Sequence, residues 1–334
     1  MSVFVIAEAG VNHNGSLDIA KRLVDVAVES GADAVKFQTF KAYEANSIYT
    51  MKTEYQKLNT NMDEEQLEMV RKLELPFEQF VEIKNYCRDR GIIFLSTPDG
   101  EESLKFLMSL DIPLIKVSST DATNHIFLKK IGETMKPILL STGMCTLGEV
   151  EKALEILNYS GNNNITLLHC TTDYPTNFND VNLKALVTMK EAFKIPVGFS
   201  DHTVGNEAAV AAVALGAELI EKHITLSHDM NGPDHKASST PEEFRVYVNS
   251  IRNTERLLGS GIKRPTMREM TIMKDVRRSI VAAFEIKAGT KLTGEMLLIK
   301  RPAFGIKPEF IDIVIGRELK KDLMPDEPIK WEYI

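Results

Sequence analysis

Cysteine is scarce in this chain. Its three cysteines, Cys87, Cys145 and Cys170, form no C-x-x-C pair. That argues against a disulfide framework and a structural zinc site, and it fits a reducing cytoplasm. Long apolar runs are missing as well: the longest, Ala208–Leu215, is far short of the roughly 20 residues a membrane span requires. The segment Met1–Glu8 has no basic start and meets a carboxylate too soon for a secretory signal, so the expectation is a cytoplasmic protein without a membrane partner. No basic face stands out and the formal net charge is -7, so nucleic acid is not an expected partner. Neither G-x-G-x-x-G nor G-x-x-x-x-G-K-[ST] occurs, which removes the common nucleotide-binding fingerprints. A chain this acidic that binds an anion must gather its lysines locally.

What is present is an alternation. The 334 residues, 43% hydrophobic and 26% charged, have ordinary globular composition and suit one large domain plus a small one. Eight short apolar runs with little internal alternation read as strands covered on both faces. They are Val3–Ala7, Ala34–Gln38, Ile92–Ser96, Leu114–Ser118, Ile138–Ser141, Ile165–Cys170, Pro196–Ser200 and Glu218–Thr225. Each is followed by a helical pattern, from Leu17–Ser30 to Pro241–Leu258, and the polar insertion Lys41–Leu75 interrupts the second step. Eight βα steps over roughly 260 residues match a (β/α)8 TIM barrel, with a doubly wound open sheet as the alternative. The barrel pattern is assigned to residues 1–260, a polar linker containing Pro265 to 261–275, and a small β-rich domain to 276–334.

The strand ends collect chemistry. The last two strands each end near a histidine, His202 and His223, and the helix Asn206–Gly216 lies between them. A strand–helix–strand unit of this kind is parallel, so both imidazoles emerge at one end of the sheet. With Glu221, Asp201 and Asp234 close in sequence, they could hold one divalent metal; the plain alternative is a strand cap and a satisfied polar pocket. Lys36 and Lys116 sit inside apolar strands (Ala-Val-Lys-Phe and Leu-Ile-Lys-Val), where an ammonium needs an anionic partner. Glu8, Gln38, Thr97, Ser119, Ser141, Thr171, Tyr174 and Ser200 fall at the same predicted rim. Two lysines among hydroxyls suit a small phosphorylated or carboxylated ligand.

In chain order, Ala7-Glu-Ala-Gly10, Asn12-His-Asn-Gly15, Val35-Lys-Phe-Gln-Thr-Phe40, Ser96-Thr-Pro98, Ser141-Thr-Gly-Met144, Leu168-His-Cys170, Gly198-Phe-Ser-Asp-His202, Ile220-Glu-Lys-His223 and Gly232-Pro-Asp-His235 closely resemble the sialic acid synthase family. Lys300-Arg-Pro302, Gly305-Ile306 and Pro308 resemble that family's C-terminal antifreeze-like (SAF) domain. The resemblance implies a phosphoenolpyruvate-dependent condensation with an N-acetylmannosamine-type sugar, giving a nine-carbon 2-keto acid and phosphate. It implies a divalent ion, usually Mn2+ with Mg2+ or Co2+ as alternatives, on His202 and His223. It maps phosphoenolpyruvate contacts to Lys36, Thr97, Lys116, Ser119, Ser141 and Ser200, and the sugar side to Gln38, Tyr174 and Asp234. Glu8 and Glu221 become the carboxylates placed to move protons. Arg301, which by itself reads as a surface arginine, becomes a sugar contact reached from a partner subunit, which implies a domain-exchanged homodimer.

Four positions depart from the family pattern. Thr171 replaces a usual Asn at a phosphoenolpyruvate contact, Asp99 a usual Phe, and Thr120-Asp121 a usual Gly-Glu. The acceptor therefore stays open between N-acetylmannosamine and the diacetamido-trideoxy sugar leading to legionaminic acid. Two other functions fit the residues less well. A 3-deoxy-ulosonate synthase or aldolase acting on a sugar phosphate would need a second basic cluster, which is not seen. A glycan- or ice-binding module would favour regular Thr or Ala rows, which Lys287–Pro308 lacks.

Overall fold

The computed structural model describes residues 2–60 and 64–334. The chain divides into two compact units, the first ending at Gly259 and the second spanning Ser260–Ile334. Among the described residues no helix is long and apolar enough to cross a membrane.

The first unit is a barrel of eight parallel strands: β1 Phe4–Gly10, β2 Ala34–Phe40, β3 Ile93–Asp99, β4 Ile115–Val117, β5 Ile138–Ser141, β6 Ile165–Cys170, β7 Val197–Asp201 and β8 Leu219–His223. The ladder runs β3-β2-β1-β8-β7-β6-β5-β4, and the β1–β8 pairing joins the first strand to the last. β3 and β4 lie side by side without a ladder between them. A doubly wound sheet, whose first and last strands do not meet in this way, is thereby set aside.

Helices flank the strands: α1 Leu17–Ser30, α5 Phe77–Arg90, α6 Glu101–Ser109, α7 His125–Glu133, α8 Leu147–Tyr159, α9 Lys184–Phe193, α10 Glu207–Ala214 and α11 Pro241–Leu258, with α2 to α4 in the insertion. Local chemistry fixes their ends. The Ser16 hydroxyl accepts from Ile19 N–H, and Gly31 closes α1 at φ 80°. Thr146 with Glu149, and Thr240 with Glu243, form capping boxes.

The strands carry two layers, and the sequence writes both. Odd-numbered positions of β1 (Val5, Ala7) join the core between barrel and helices. Facing inward is a separate apolar floor of Ile6, Ala34, Leu95, Leu139, Leu168 and Leu219, with Leu114 packed against it. Two residues further along the same strands stand Glu8, Lys36, Thr97, Ser141, Cys170, Glu221 and Lys116. Successive inward positions in a strand are two apart, so every stave steps from apolar floor to chemical mouth in one pleat. β7 has Gly198 at the floor position, where a Cβ would lie 2.5 Å from the Leu219 carbonyl oxygen and 2.7 Å from a Leu168 methyl.

The polar insertion is not a featureless loop. It folds into α2 Ala42–Ala45, α3 Glu54–Asn59 and α4 Gln66–Leu73; its residues 61–63 lie outside the described residues. Glu44 accepts from the first backbone N–H groups of α6, those of Glu101 (2.7 Å) and Glu102 (3.1 Å). It caps a helix whose own N-cap, Gly100, has no side chain to do so.

The second unit has its own core, built from Ile280, Leu297, Val314, Leu323 and Ile329 among others. Strands β9 Ser279–Ala282 and β10 Leu297–Lys300 pair antiparallel. The apolar piece at 311–315 forms a short helix, α13 Ile311–Val314, rather than a strand. Within the expected linker, α12 Met267–Val276 is a helix started by a Thr266–Glu269 capping box, and none of its residues is buried.

Candidate active site

Register brings the mouth residues level. Glu8 of β1 pairs with Lys36 of β2 and with His223 of β8, and Ser200 of β7 pairs with Glu221 of β8. These side chains line one cavity of about 310 Å³ with Gln38, Thr97, Lys116, Ser119, Ser141, Tyr174, His202 and Asp234.

At its base two ammoniums and two carboxylates interleave, all nearly inaccessible to water. Lys36 Nζ lies 2.8 Å from Glu8 and 3.6 Å from Glu221, and Lys116 Nζ lies 3.6 Å from the other Glu221 oxygen. Lys36 also donates to Thr97 (3.0 Å), Ser200 to Glu221 (2.9 Å), and Gln38 to Glu8 (3.4 Å). The Ser141 hydroxyl is buried here with no partner.

The two carboxylates are driven apart. Burial pushes Glu8 up to about 7, with Lys36 opposing the shift and the Glu221 charge adding to it. Burial acts on Glu221 in the same direction, but Lys116 and then Lys36 outweigh it and hold that group well below the usual carboxylate range. Lys36 is raised: burial disfavours its charge, and Glu221 and Glu8 more than offset this. Lys116, buried with less compensation, is lowered. Two carboxylates held at opposite ends of the scale divide acid–base and electrostatic roles between them. Asp99 lines the same cavity and is pushed up to about 7 by burial and by Asp121. Asp234 is raised by burial to about 6.

The two imidazoles face one cavity with ring centres 5.6 Å apart and planes inclined by 58°. Two rings sharing one ion through metal–nitrogen bonds of about 2.1 Å would stand roughly 5–6 Å apart centre to centre. His202 Nδ1 donates to the Thr171 carbonyl at 2.7 Å, which leaves Nε2 as the lone-pair nitrogen. His223 Nδ1 is buried without a partner. This donor set fits a divalent ion. Among the described residues no group of three or more His, Cys, Asp or Glu is arranged to hold one, so further ligands would come from substrate and water. Tyr174 bounds the pair, its ring 4.0 Å from His202 and edge-on at 5.6 Å to His223. At the turn after Glu8, Gly10 (φ 51°) has no side chain; a Cβ there would sit 3.3 Å from Glu8 Oε1 and 3.5 Å from the His223 ring.

The outward faces of the same strand ends are equally specific. Asp201, a candidate metal neighbour by sequence, points away from the cavity. Its carboxylate receives Lys222 Nζ (3.2 Å), the Tyr247 hydroxyl of α11 (2.8 Å), and the Thr203 N–H and hydroxyl (2.8 and 2.7 Å). Asp201 precedes His202 and Lys222 precedes His223, so this buried cluster locks the two histidine-bearing staves together.

Thr171, expected at the phosphoenolpyruvate contacts, stands outside the cavity lining. Its hydroxyl turns to the Asp180 carbonyl (3.3 Å), its own carbonyl orients His202, and it does not line the cavity; Thr172 does. The side chain following the end of β6 points out of the barrel, which a motif match does not register. Arg301 follows β10 in the second unit and is exposed there.

The insertion supplies a wall that the sequence reading did not assign to the site. Asn46, Tyr55 and Gln56 line the cavity, and Tyr55 packs on Tyr174 at 5.3 Å. Gln66, Met69, Val70 and Leu73 of α4 do so too. Their spacing, i, i+3, i+4, i+7, is one helix face. That period is the available signal, within a segment whose overall composition is polar.

Barrel, mouth and appended unit together define a (β/α)8 enzyme with its chemistry at the strand C-termini. Residues 23–263 match the model of the NeuB family, and residues 277–334 match that of the SAF domain. The chain belongs to the NeuB family. It is 47% identical to the N,N'-diacetyllegionaminic acid synthase of Campylobacter jejuni, over 98% of both chains. It is 44% identical to the protein of the same name from Legionella pneumophila, over 100% of this chain and 95% of that one. The crystal structure of N-acetylneuraminic acid synthetase from Leptospira borgpetersenii in complex with citrate superposes with a TM-score of 0.71 at 31% identity, covering 81% of this chain and 90% of that one.

Proposed function

We propose that the protein condenses phosphoenolpyruvate with a diacetamido-trideoxy hexose, forming a nine-carbon 2-keto sugar acid of the legionaminic type and inorganic phosphate. The observation that carries this reading is the buried Lys36–Glu8–Glu221–Lys116 cluster beside the histidine pair. The relatives' names support the choice of sugar. Among the described residues the insertion wall presents no cation to the cavity, which disfavours a phosphorylated acceptor and with it the 3-deoxy-ulosonate alternative.

In this reading Lys36, Lys116, Thr97, Ser119, Ser141 and Ser200 hold the phosphate and carboxylate of phosphoenolpyruvate. Gln38, Tyr174 and Asp234 hold the sugar. Condensation joins phosphoenolpyruvate C3 to the aldehyde carbon; water then adds at C2 and the C2–O–phosphate bond breaks. One proton must reach the former aldehyde oxygen, one must leave the attacking water as it adds, and the proton of the resulting C2 hydroxyl departs with the phosphate as the keto group forms. Glu8, raised towards neutrality and level with His223, gives the first and takes the second. Glu221 stays ionised and balances the lysines. A divalent ion on His202 and His223, Mn2+ or else Mg2+ or Co2+, would supply Lewis-acid polarisation of the aldehyde.

The barrel, residues 1–260, would be catalytic, with 261–275 joining it to the SAF domain at 276–334. Arg301 would complete the sugar site from the partner subunit of a domain-exchanged homodimer. Three free cysteines fit a cytoplasmic setting. The test is phosphate release that requires both phosphoenolpyruvate and the N-acylated hexose and that chelator abolishes. Release without sugar, or full activity in EDTA, refutes the reading.

A further inference from the structure

Resting on that reading, we infer that α4 reads the far half of the acceptor sugar, and that Gln66 is the specificity-determining residue which accepts a hydrogen bond from a second acylamino N–H. Gln66 lines the cavity and is only 9% exposed, yet its Oε1 is buried with no donor among the described residues. A buried carbonyl oxygen without a partner is costly, and its side chain belongs to the wall of the cavity into which a donor can come. One and two turns along the same face stand Met69, Val70 and Leu73. Leu73 packs with Val11 and Phe40 in a small apolar cluster, against which Val70 also rests. A single acceptor beside an apolar strip complements an acylamino group, which offers one N–H and one methyl, next to a deoxygenated carbon. It complements a hydroxylated carbon chain poorly, because hydroxyls buried against Met69 and Leu73 would lose water without gaining partners. The wall therefore selects a hexose acylated at two nitrogens over one acylated at a single nitrogen.

The experiment measures kcat/KM at saturating phosphoenolpyruvate for the 2,4-diacetamido-trideoxy hexose and for N-acetylmannosamine. It uses the full-length wild type, Gln66→Leu and Gln66→Glu. The wild type is expected to favour the diacylated sugar. Gln66→Leu should lower kcat/KM for that sugar by about 10- to 100-fold and lower it less for N-acetylmannosamine, so that the preference narrows by about tenfold. Gln66→Glu keeps an accepting oxygen and should retain most of the preference. Equal losses on both sugars, or an unchanged preference in Gln66→Leu, overturns the inference. If Gln66→Leu does not fold, Gln66→Met takes its place with the same expected split. A wild type that releases phosphate with neither sugar refutes the condensation itself. One that uses both without preference refutes only the role of α4.

Discussion

Replacing Lys222 with Met tests how the barrel holds its two histidines. Lys222 is 2% exposed and Asp201 1%, so neither charge can be solvated once its partner is gone. Breaking a buried ion pair from one side typically costs about 3–5 kcal/mol. The remaining partners decide where in that range each variant falls. In Lys222→Met the Asp201 carboxylate keeps the Thr203 N–H, the Thr203 hydroxyl and the Tyr247 hydroxyl, so about 3 kcal/mol is expected. In Asp201→Asn the ammonium keeps the Thr203 carbonyl as its one full acceptor, and the loss moves towards about 5 kcal/mol. Urea unfolding followed by circular dichroism reads both values. A loss of about 3 kcal/mol corresponds to roughly 6–12 °C in Tm for a domain of this size. The double variant should recover at least about 1.5 kcal/mol of the summed losses, because the second substitution removes the charge that the first had stranded. Turnover should fall about 10- to 100-fold in the folded single variants, since His202 and His223 are the next residues on the two staves and small misplacements are costly. A loss under about 1 kcal/mol in Lys222→Met, or strict additivity in the double variant, would show that the cluster is not a coupled unit.

Other outcomes are expected from the same geometry. His202→Ala should abolish phosphate release while leaving the far-UV spectrum and the Tm within a few degrees, on the order of 1 kcal/mol; surviving activity with a lowered Tm would make the histidine structural. Protonated Glu8 both donates the first proton and leaves Lys36 free for the substrate anion, so kcat/KM for phosphoenolpyruvate should decline above about pH 7. Glu8→Gln should flatten that limb and lower kcat by about 100-fold, and a limb that persists in the variant would exonerate Glu8. Gly198→Ala should destabilise by about 1–3 kcal/mol, because its Cβ would meet the Leu219 carbonyl at 2.5 Å; an unchanged denaturation midpoint would contradict the packing of the floor.

The amino-acid sequence by itself determined the staves and their mouth. Ala34 and Lys36, Leu114 and Lys116, Leu219 and Glu221 lie two apart, so strand periodicity alone sends each pair to the same side, one pleat apart. The same period sets Asp201 opposite His202 and Lys222 opposite His223, although proximity along the chain had suggested Asp201 as a metal neighbour. Tertiary structure decided what no local pattern encodes. Glu8 and Glu221 are the same residue type on neighbouring staves, yet they shift in opposite directions because Lys116 stands 3.6 Å from Glu221 and acts on Glu8 only weakly. The insertion closes over the mouth because Glu44 seats on the start of α6 while one face of α4 turns inward. A strand's alternation is carried by bonds within the strand, whereas charge pairing and the docking of a remote helix depend on distances that exist only after the barrel has closed.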